Sequence, residues 1–270
     1  MVRDYILTKD NEKIFYFKSI IDTNNEYLFF MHGAGVDHLM FKEQYTYFEK
    51  KYNIIAWDAC FHGESIAYKR DYNIKYYIDD FLSVIRKENI AKCILIGQSM
   101  GGNIAQEIMI QYPQYLSKII IIDSTKNIQK LSQIENFMLK ISKPLFKLYS
   151  LKNLARASSK ACSINKEVQK YIEDCFIRMG KSGFINVFLS LYEFIRDDDS
   201  ISYPDDILLI CGEYDKSGNI KSAMEKWSLN NRYGLFIVKN ASHNSNQDNP
   251  KYVNNLIEKY IEDKLTTAST

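Results

Sequence analysis

Apolar residues in this chain fall into short unbroken runs. Residues 27–31 (Tyr-Leu-Phe-Phe-Met), 53–57, 93–96, 119–122, 207–211 and 234–238 are such runs, each the length of a strand buried on both faces. Between most of them the apolar spacing changes to three and four, as on one face of a helix. Residues 74–87 show it best, with Ile74, Tyr77, Ile78, Phe81, Leu82 and Ile85. Residues 39–52, 103–112, 219–229 and 250–264 are the other helices expected, and Pro113 disfavours helical backbone just before it, which stops the second of these near Tyr112. At the start, residues 4–8 and 13–18 read as extended segments joined by the polar turn Lys9-Asp10-Asn11-Glu12, an antiparallel hairpin. Repeated βα units with wholly apolar strands predict an α/β fold, a mostly parallel central sheet with helices on both faces.

The rhythm breaks once. Residues 127–197 carry no strand pattern but repeated helical spacing: Phe137, Leu139 and Ile141; Phe146, Leu148 and Tyr149; Val168, Tyr171 and Ile172; Phe184, Val187, Phe188 and Leu191. This predicts a helical cap, residues 127–197, inserted into one core domain built from residues 1–126 and 198–270. Most of those apolar residues are expected to pack the cap onto the sheet domain, and some to line a pocket beneath it. Asp197-Asp198-Asp199 reads as a solvated exit loop, and residues 266–270 as a small, polar tail.

At 270 residues the chain can bury a substantial core. Lys and Arg number 35 against 33 Asp and Glu, spread along the chain, so no electrostatic footprint for nucleic acid is present. No apolar run approaches the roughly 18 to 20 residues of a membrane span, and Met1-Val2-Arg3-Asp4-Tyr5 lacks the apolar core of a signal peptide. The expectation is a soluble, cytoplasmic protein, and the pattern carries no signal for an oligomeric state. Its five cysteines (Cys60, Cys93, Cys162, Cys175 and Cys211) are scattered without zinc or disulfide spacing and read as reduced thiols. Cys93 and Cys211 are expected in buried strands, and Cys60 in a loop bordering the site.

The candidate chemistry centres on Gly97-Gln98-Ser99-Met100-Gly101. An apolar strand precedes it and helical composition follows, so Ser99 lies on a sharp strand-to-helix turn. Glycines on either side give the close backbone approach that such a turn needs. Three other polar clusters also end predicted strands: His32-Gly33, Asp215 and Ala241-Ser242-His243. Ligands bind beyond the carboxyl ends of parallel strands, so the four converge. A serine hydroxyl is a weak nucleophile at neutral pH; it needs a base, and the base needs a buried acid. Ser99, His243 and Asp215 suit those three roles, with Asp123 and Glu213 as other candidate acids. His32 and His62 read as residues that structure loops, and His38 as solvent-facing or at the pocket rim. No His, Asp or Glu group has metal-ligand spacing, and no Gly-x-Gly-x-x-Gly is present, so neither metal nor cofactor is expected.

Over nearly its whole length the chain resembles the α/β-hydrolase superfamily, in its helical-capped, esterase-like branch. The resemblance rests on His32-Gly33-Ala34-Gly35, Asp58-Ala59-Cys60-Phe61-His62-Gly63-Glu64-Ser65, Gly97-Gln98-Ser99-Met100-Gly101-Gly102, Gly212-Glu213-Tyr214-Asp215 and Ala241-Ser242-His243. The order Ser, Asp, His along the chain is also that of the superfamily. Members commonly have Arg-Gly where this chain has Cys60-Phe61, a departure that touches a loop contact or pocket edge and leaves the triad positions intact. The resemblance implies an oxyanion hole formed by the backbone N–H groups of Ala34 and Met100, and a site-forming loop framework of His32, Gly33, Gly97 and Gly101. It implies a serine hydrolase that cleaves a small, fairly apolar carboxylic ester or thioester through an acyl-enzyme, its partner being a small-molecule acyl substrate. The same parts serve carbon–carbon bond hydrolysis, aminopeptidase-like cleavage, acyl transfer and peroxy-acid formation, and the fold also serves non-catalytic ligand-binding receptors. Dehalogenases and epoxide hydrolases require a carboxylate nucleophile where this chain has Ser99.

Overall fold

Strands with every position buried, Asn53–Trp57, Tyr27–Met31 and Cys93–Gln98, form the middle of the sheet, because a run such as Tyr27–Met31 has an apolar side chain to give to each face. The computed structural model describes residues 1–66, 69–198, 200–204 and 206–265. In chain order these form β1 (Val2–Leu7), β2 (Lys13–Ser19), β3 (Tyr27–Met31), a 3₁₀ turn His38–Phe41, α1 (Lys42–Phe48), β4 (Asn53–Trp57), α2 (Ile74–Lys87), β5 (Cys93–Gln98), α3 (Met100–Gln111) and β6 (Leu116–Ile122). Then come α4 (Gln133–Leu148), α5 (Leu151–Cys162), α6 (Lys166–Ser190), β7 (Leu208–Gly212), α7 (Ile220–Asn231), β8 (Leu235–Val238), α8 (Ser245–Asp248) and α9 (Pro250–Ile261).

The strands pair in the order β1-β2-β4-β3-β5-β6-β7-β8. β2 runs antiparallel to both of its neighbours, β1 and β4; β4, β3, β5, β6, β7 and β8 are parallel to one another. The chain leaves β3 toward β4 and then crosses back to β5, so a crevice opens at the carboxyl ends of β3 and β5, where the winding direction reverses.

Successive strand residues feed two separate core layers. Leu28, Phe30, Ile94 and Ile96 pack in the layer of Phe41, Phe48, Val253 and Ile257, from the α1 and α9 side. Phe29, Met31, Cys93 and Leu95 pack in the layer of Tyr77, Phe81, Ile104 and Ile108, from α2 and α3. Period-two alternation on a doubly covered sheet is the reason both helix layers find apolar partners.

The strand-and-helix expectations hold with small shifts. Residues 39–52 do not form one helix: the Asp37 carboxylate accepts the Leu39 N–H (3.1 Å) and starts a 3₁₀ turn, after which α1 ends at Phe48. The helix expected from residue 103 starts at Met100, because Gly101 and Gly102, poor helix formers in isolation, are the residues small enough to enter the turn. The four-residue α8 was not expected. Asp199 and residues 266–270 lie outside the described residues, as do the side chains of Phe137 and Leu139.

Between β6 and β7 the helices α4, α5 and α6 replace the βα alternation, and α6 kinks at Gly180 (φ 77°, ψ 165°). The two ends of this excursion lie side by side through a bridge of Ile128 with Arg196. Both are pinned to α3: the Asn127 side chain donates to Asn103 O (2.9 Å) and Glu107 Oε1 (2.8 Å), and Arg196 pairs with Glu107 (2.6 Å). Tyr203 donates to Gln106 Oε1 (2.9 Å). Thus the helix that begins at Ser99 also anchors the base of the inserted helices.

Phe29 on β3 is fully buried, with Trp57 at 5.6 Å and Phe81 at 5.1 Å in edge-to-face contact. Phe29→Ala is expected to destabilise the protein by about 3–5 kcal/mol, read as a lower urea midpoint at unchanged slope.

Candidate active site

Ser99 follows the last residue of β5 and caps α3 with φ 50° and ψ −115°, a backbone conformation that costs a residue with a side chain about 1–3 kcal/mol. The surroundings hold it there. Its N–H donates to Ile122 O (2.9 Å), while its carbonyl accepts from the Ser124 hydroxyl (2.8 Å) and from Asn103 N–H (3.0 Å). A Cβ on Gly101 would run into the Met31 carbonyl, and one on Gly97 into the Gly101 carbonyl. Gly33 is packed as closely, since its missing Cβ leaves room for the Gln98 amide oxygen.

His243 follows β8 and Asp215 follows β7, and both are buried. His243 Nδ1 lies 2.9 Å from Asp215 Oδ2. A carboxylate there can only accept, so Nδ1 carries the proton and Nε2 presents its lone pair. The other Asp215 oxygen accepts the Ser217 N–H (2.8 Å). Burial alone disfavours a charged imidazole, but the Asp215 carboxylate, its hydrogen bond and the charge of Asp123 outweigh it and hold His243 above its ordinary value. Asp215 is held below the usual carboxylate range, its burial outweighed by His243 and the Ser217 bonds.

Asp123, the other strand-terminal acid, does not bond to the imidazole. Its Oδ1 accepts from Gly212 N–H (2.7 Å), and its Oδ2 from Ser245 N–H (3.0 Å) and the Ser245 hydroxyl (2.6 Å). It therefore ties the start of the Asp215 loop to the residue two after His243. Burial first, and then the charge of Asp215, push it up to about 7. Glu213 pairs with Lys239 at the surface (2.8 Å) and takes no part.

The remaining histidines are structural. His32 Nε2 accepts the Ala59 N–H (2.9 Å), which places its proton on Nδ1, bonded to Gly33 O (2.7 Å). Both ring nitrogens are spent on shaping the loop that leads to Ala34. His62 Nδ1 bonds to Cys60 O (2.8 Å), and burial together with the neighbouring His32 pushes its pKa down to about 3. His38 is not at the cavity rim: it stacks on Phe17 (3.5 Å between ring centres) and bonds to Asp58 (2.8 Å). Cys60, expected to border the site, is buried near Arg70 instead.

Ser99, His243, Ala34 and Gly33 share the wall of a cavity of about 690 Å³ roofed by α4, α5 and α6. Met100 is the first residue of α3, where backbone N–H groups lack partners within the helix. Cys162 and Gln98 are among the lining residues that sequence patterns did not mark as part of the site. Cys162 had no signal beyond its cap position, and burial pushes its thiol up to about 12. Gln98 had one, its place beside Ser99, and its amide donates to the His243 carbonyl (2.8 Å). Among the described residues, Asp123, Cys211 and Asp215 bring potential metal-ligand atoms within 4.8 Å of one another, but both carboxylates are already engaged as acceptors by the bonds above.

A serine on a strained turn between parallel strand and helix, with a buried His–Asp pair from the loops after β7 and β8, defines an α/β-hydrolase. Residues 22–243 match the family described as serine aminopeptidase, S33, and the chain belongs to that hydrolase family. Epoxide hydrolase 4 of Homo sapiens is 26% identical over 292 residues, spanning 96% of this chain and 79% of its own. Among solved structures, a thermophilic esterase from Thermogutta terrifontis superposes with a TM-score of 0.79 at 17% identity, over 98% of this chain and 100% of its own. A bromoperoxidase from Bacillus anthracis does so at 0.82 and 14%, over 97% and 100%. At these identities the structural likeness speaks to the fold alone. No described helix is long and apolar enough to cross a membrane.

Because both Asp215 and Asp123 raise His243, its ring protons followed by NMR should titrate above the ordinary histidine value of about 6.5. Asp123→Asn should move that midpoint down, since Asp123, itself pushed up to about 7, favours the imidazolium to the extent that it is ionised, and the amide that replaces it carries no charge. A midpoint left in place by the substitution contradicts this electrostatic picture.

Proposed function

We propose that the protein is a serine hydrolase acting on a small, fairly apolar carboxylic ester or thioester. The observation that carries this reading is the His243–Asp215 hydrogen bond at 2.9 Å, in a site where His243 and Ser99 line one cavity. His243 Nε2 takes the proton of Ser99 as the hydroxyl attacks the substrate carbonyl. Asp215 keeps the imidazole in the needed tautomer and offsets its charge. The N–H groups of Ala34 and Met100 hold the oxyanion, and losing one such donor costs about 3 kcal/mol of barrier. His243 then protonates the leaving group, and water releases the acyl group from Ser99.

Support for the substrate class comes from the cavity wall. Val36, Met40, Ile172, Phe176, Phe188 and Leu191 make it apolar, while Lys216, Ser217 and Asn219 add polar groups. Its volume of about 690 Å³ lies within the range of small-molecule sites, roughly 300–1,000 Å³. In this reading residues 127–197 act as a cap that selects the acyl group. Ser99, in place of a carboxylate nucleophile, argues against epoxide opening.

Purified protein tested on p-nitrophenyl esters from acetate to decanoate, with matching thioesters and amides, should turn over esters or thioesters of short to medium chain fastest. Ser99→Ala should lower kcat by about a million-fold, as when one member of a cooperating triad is lost. Wild-type rates in that variant, or preference for amides, sink the proposal.

A further inference from the structure

We infer that the α5–α6 hairpin is a fixed part of the catalytic machinery, clamping the histidine loop through Asp248 and the oxyanion loop through Asp37. This rests on the hydrolase reading above and adds two positioning residues to it. Asp248, the last residue of α8, faces the turn between α5 and α6. Its Oδ2 accepts the Ser242 N–H (2.8 Å), one residue before His243, and the Ile164 N–H (3.2 Å). Its Oδ1 accepts the hydroxyl of Ser163, a buried residue, and the Asn165 N–H (3.4 Å). One carboxylate thus joins the backbone beside the base to three consecutive residues of the turn between α5 and α6. Two further bonds run in parallel: Asn244 N–H donates to Cys162 O and the Ser242 hydroxyl to Ala161 O, both at 2.7 Å. The histidine is bracketed by residues that hydrogen-bond to the end of α5.

The second attachment lies on the opposite wall. Asp37, buried three residues after Ala34, accepts from Tyr171 Oη (2.7 Å) and Arg178 Nη2 (2.8 Å) of α6. Between these contacts the Phe176 ring lies against Gly35, whose φ of 83° and lack of a Cβ admit it. The loop presenting the Ala34 N–H is therefore pressed from above by α6, as it is shaped from below by His32. Both attachments lie before the Gly180 kink, so the first half of α6 moves with the catalytic loops, whereas the bridged linkers to α4 and from α6 are pinned to α3.

Misplacing a catalytic group by about 1 Å can cost some hundredfold in rate without weakening substrate binding, which separates positioning from a contribution to affinity. Asp248→Ala should lower kcat and the rate of Ser99 labelling by a fluorophosphonate by about 30- to 100-fold, with KM within about threefold. Asp248→Asn keeps an acceptor for Ser242 and Ile164 and should recover to within about fivefold of wild type. Tyr171→Phe should lower kcat by about 5- to 10-fold, whereas Lys170→Ala, which breaks only the exposed pair with Asp174 on the same helix, should change nothing. Wild-type kcat in Asp248→Ala, a loss confined to KM, or an Asn variant no better than Ala overturns the inference. If Asp248→Ala does not fold, Ser163→Ala, which removes one hydroxyl, decides by the same kcat criterion. Hydrogen exchange separates this claim from the catalytic one: residues 242–245 should lose protection in Asp248→Ala and regain it in Asp248→Asn even if the wild type hydrolyses no ester. Unchanged exchange overturns the clamp, while absent wild-type turnover counts against the hydrolase reading instead.

Discussion

Everything at this site depends on a near-contact of backbones. At the elbow, β3, β5 and α3 approach so closely that Gly97 and Gly101 have carbonyl oxygens where side chains would begin. That approach forces Ser99 to a φ of 50°, and the surrounding hydrogen bonds from Ser124, Asn103 and to Ile122 keep it there. Such local strain persists only where the rest of the fold over-determines it. Here the two core layers, filled by alternate residues of the same buried strands, supply that rigidity.

Electrostatics then distinguishes groups that sequence alone leaves equivalent. Asp123 and Asp215 end neighbouring strands, and both are buried. Asp215 bonds to the imidazole and is held low, whereas Asp123 bonds to Gly212 and Ser245 and is pushed up to about 7. One stabilises charge on His243, and the other mainly fixes the loops on either side of it. The histidines divide similarly: burial lowers His32 and His62, which spend their hydrogen bonds on backbone, while His243 alone among the buried three is raised by its partner.

The sheet and the convergence of Ser99, His243 and Asp215 were legible in the chain because buried parallel strands are written as local apolar runs, and their ends are marked by Gly, Asp and His. The 3₁₀ break before α1, the role of Gln98 and the attachments of Asp37 and Asp248 were not. The 3₁₀ break turns on one local bond, from the Leu39 N–H to Asp37, that apolar spacing does not register, and the other features depend on side chains meeting partners far away in sequence: Asp37 meets Arg178 and Asp248 meets Ser163. No local period encodes such a meeting. The inserted helices show the same limit. Their existence followed from lost strand rhythm, but Phe176, which the apolar spacing does not single out, lies against the glycine beside Ala34.

The central claim is that Ser99 carries the acyl group during turnover. Its most direct measurement is rapid acid quench of the protein with a p-nitrophenyl ester, followed by intact and peptide mass spectrometry. The account predicts one acyl adduct, located on Ser99, that forms within the burst of p-nitrophenol and accumulates in a variant slowed at deacylation. Turnover with no adduct under those conditions, or an adduct on another residue such as Cys162 or Asp123, would contradict it.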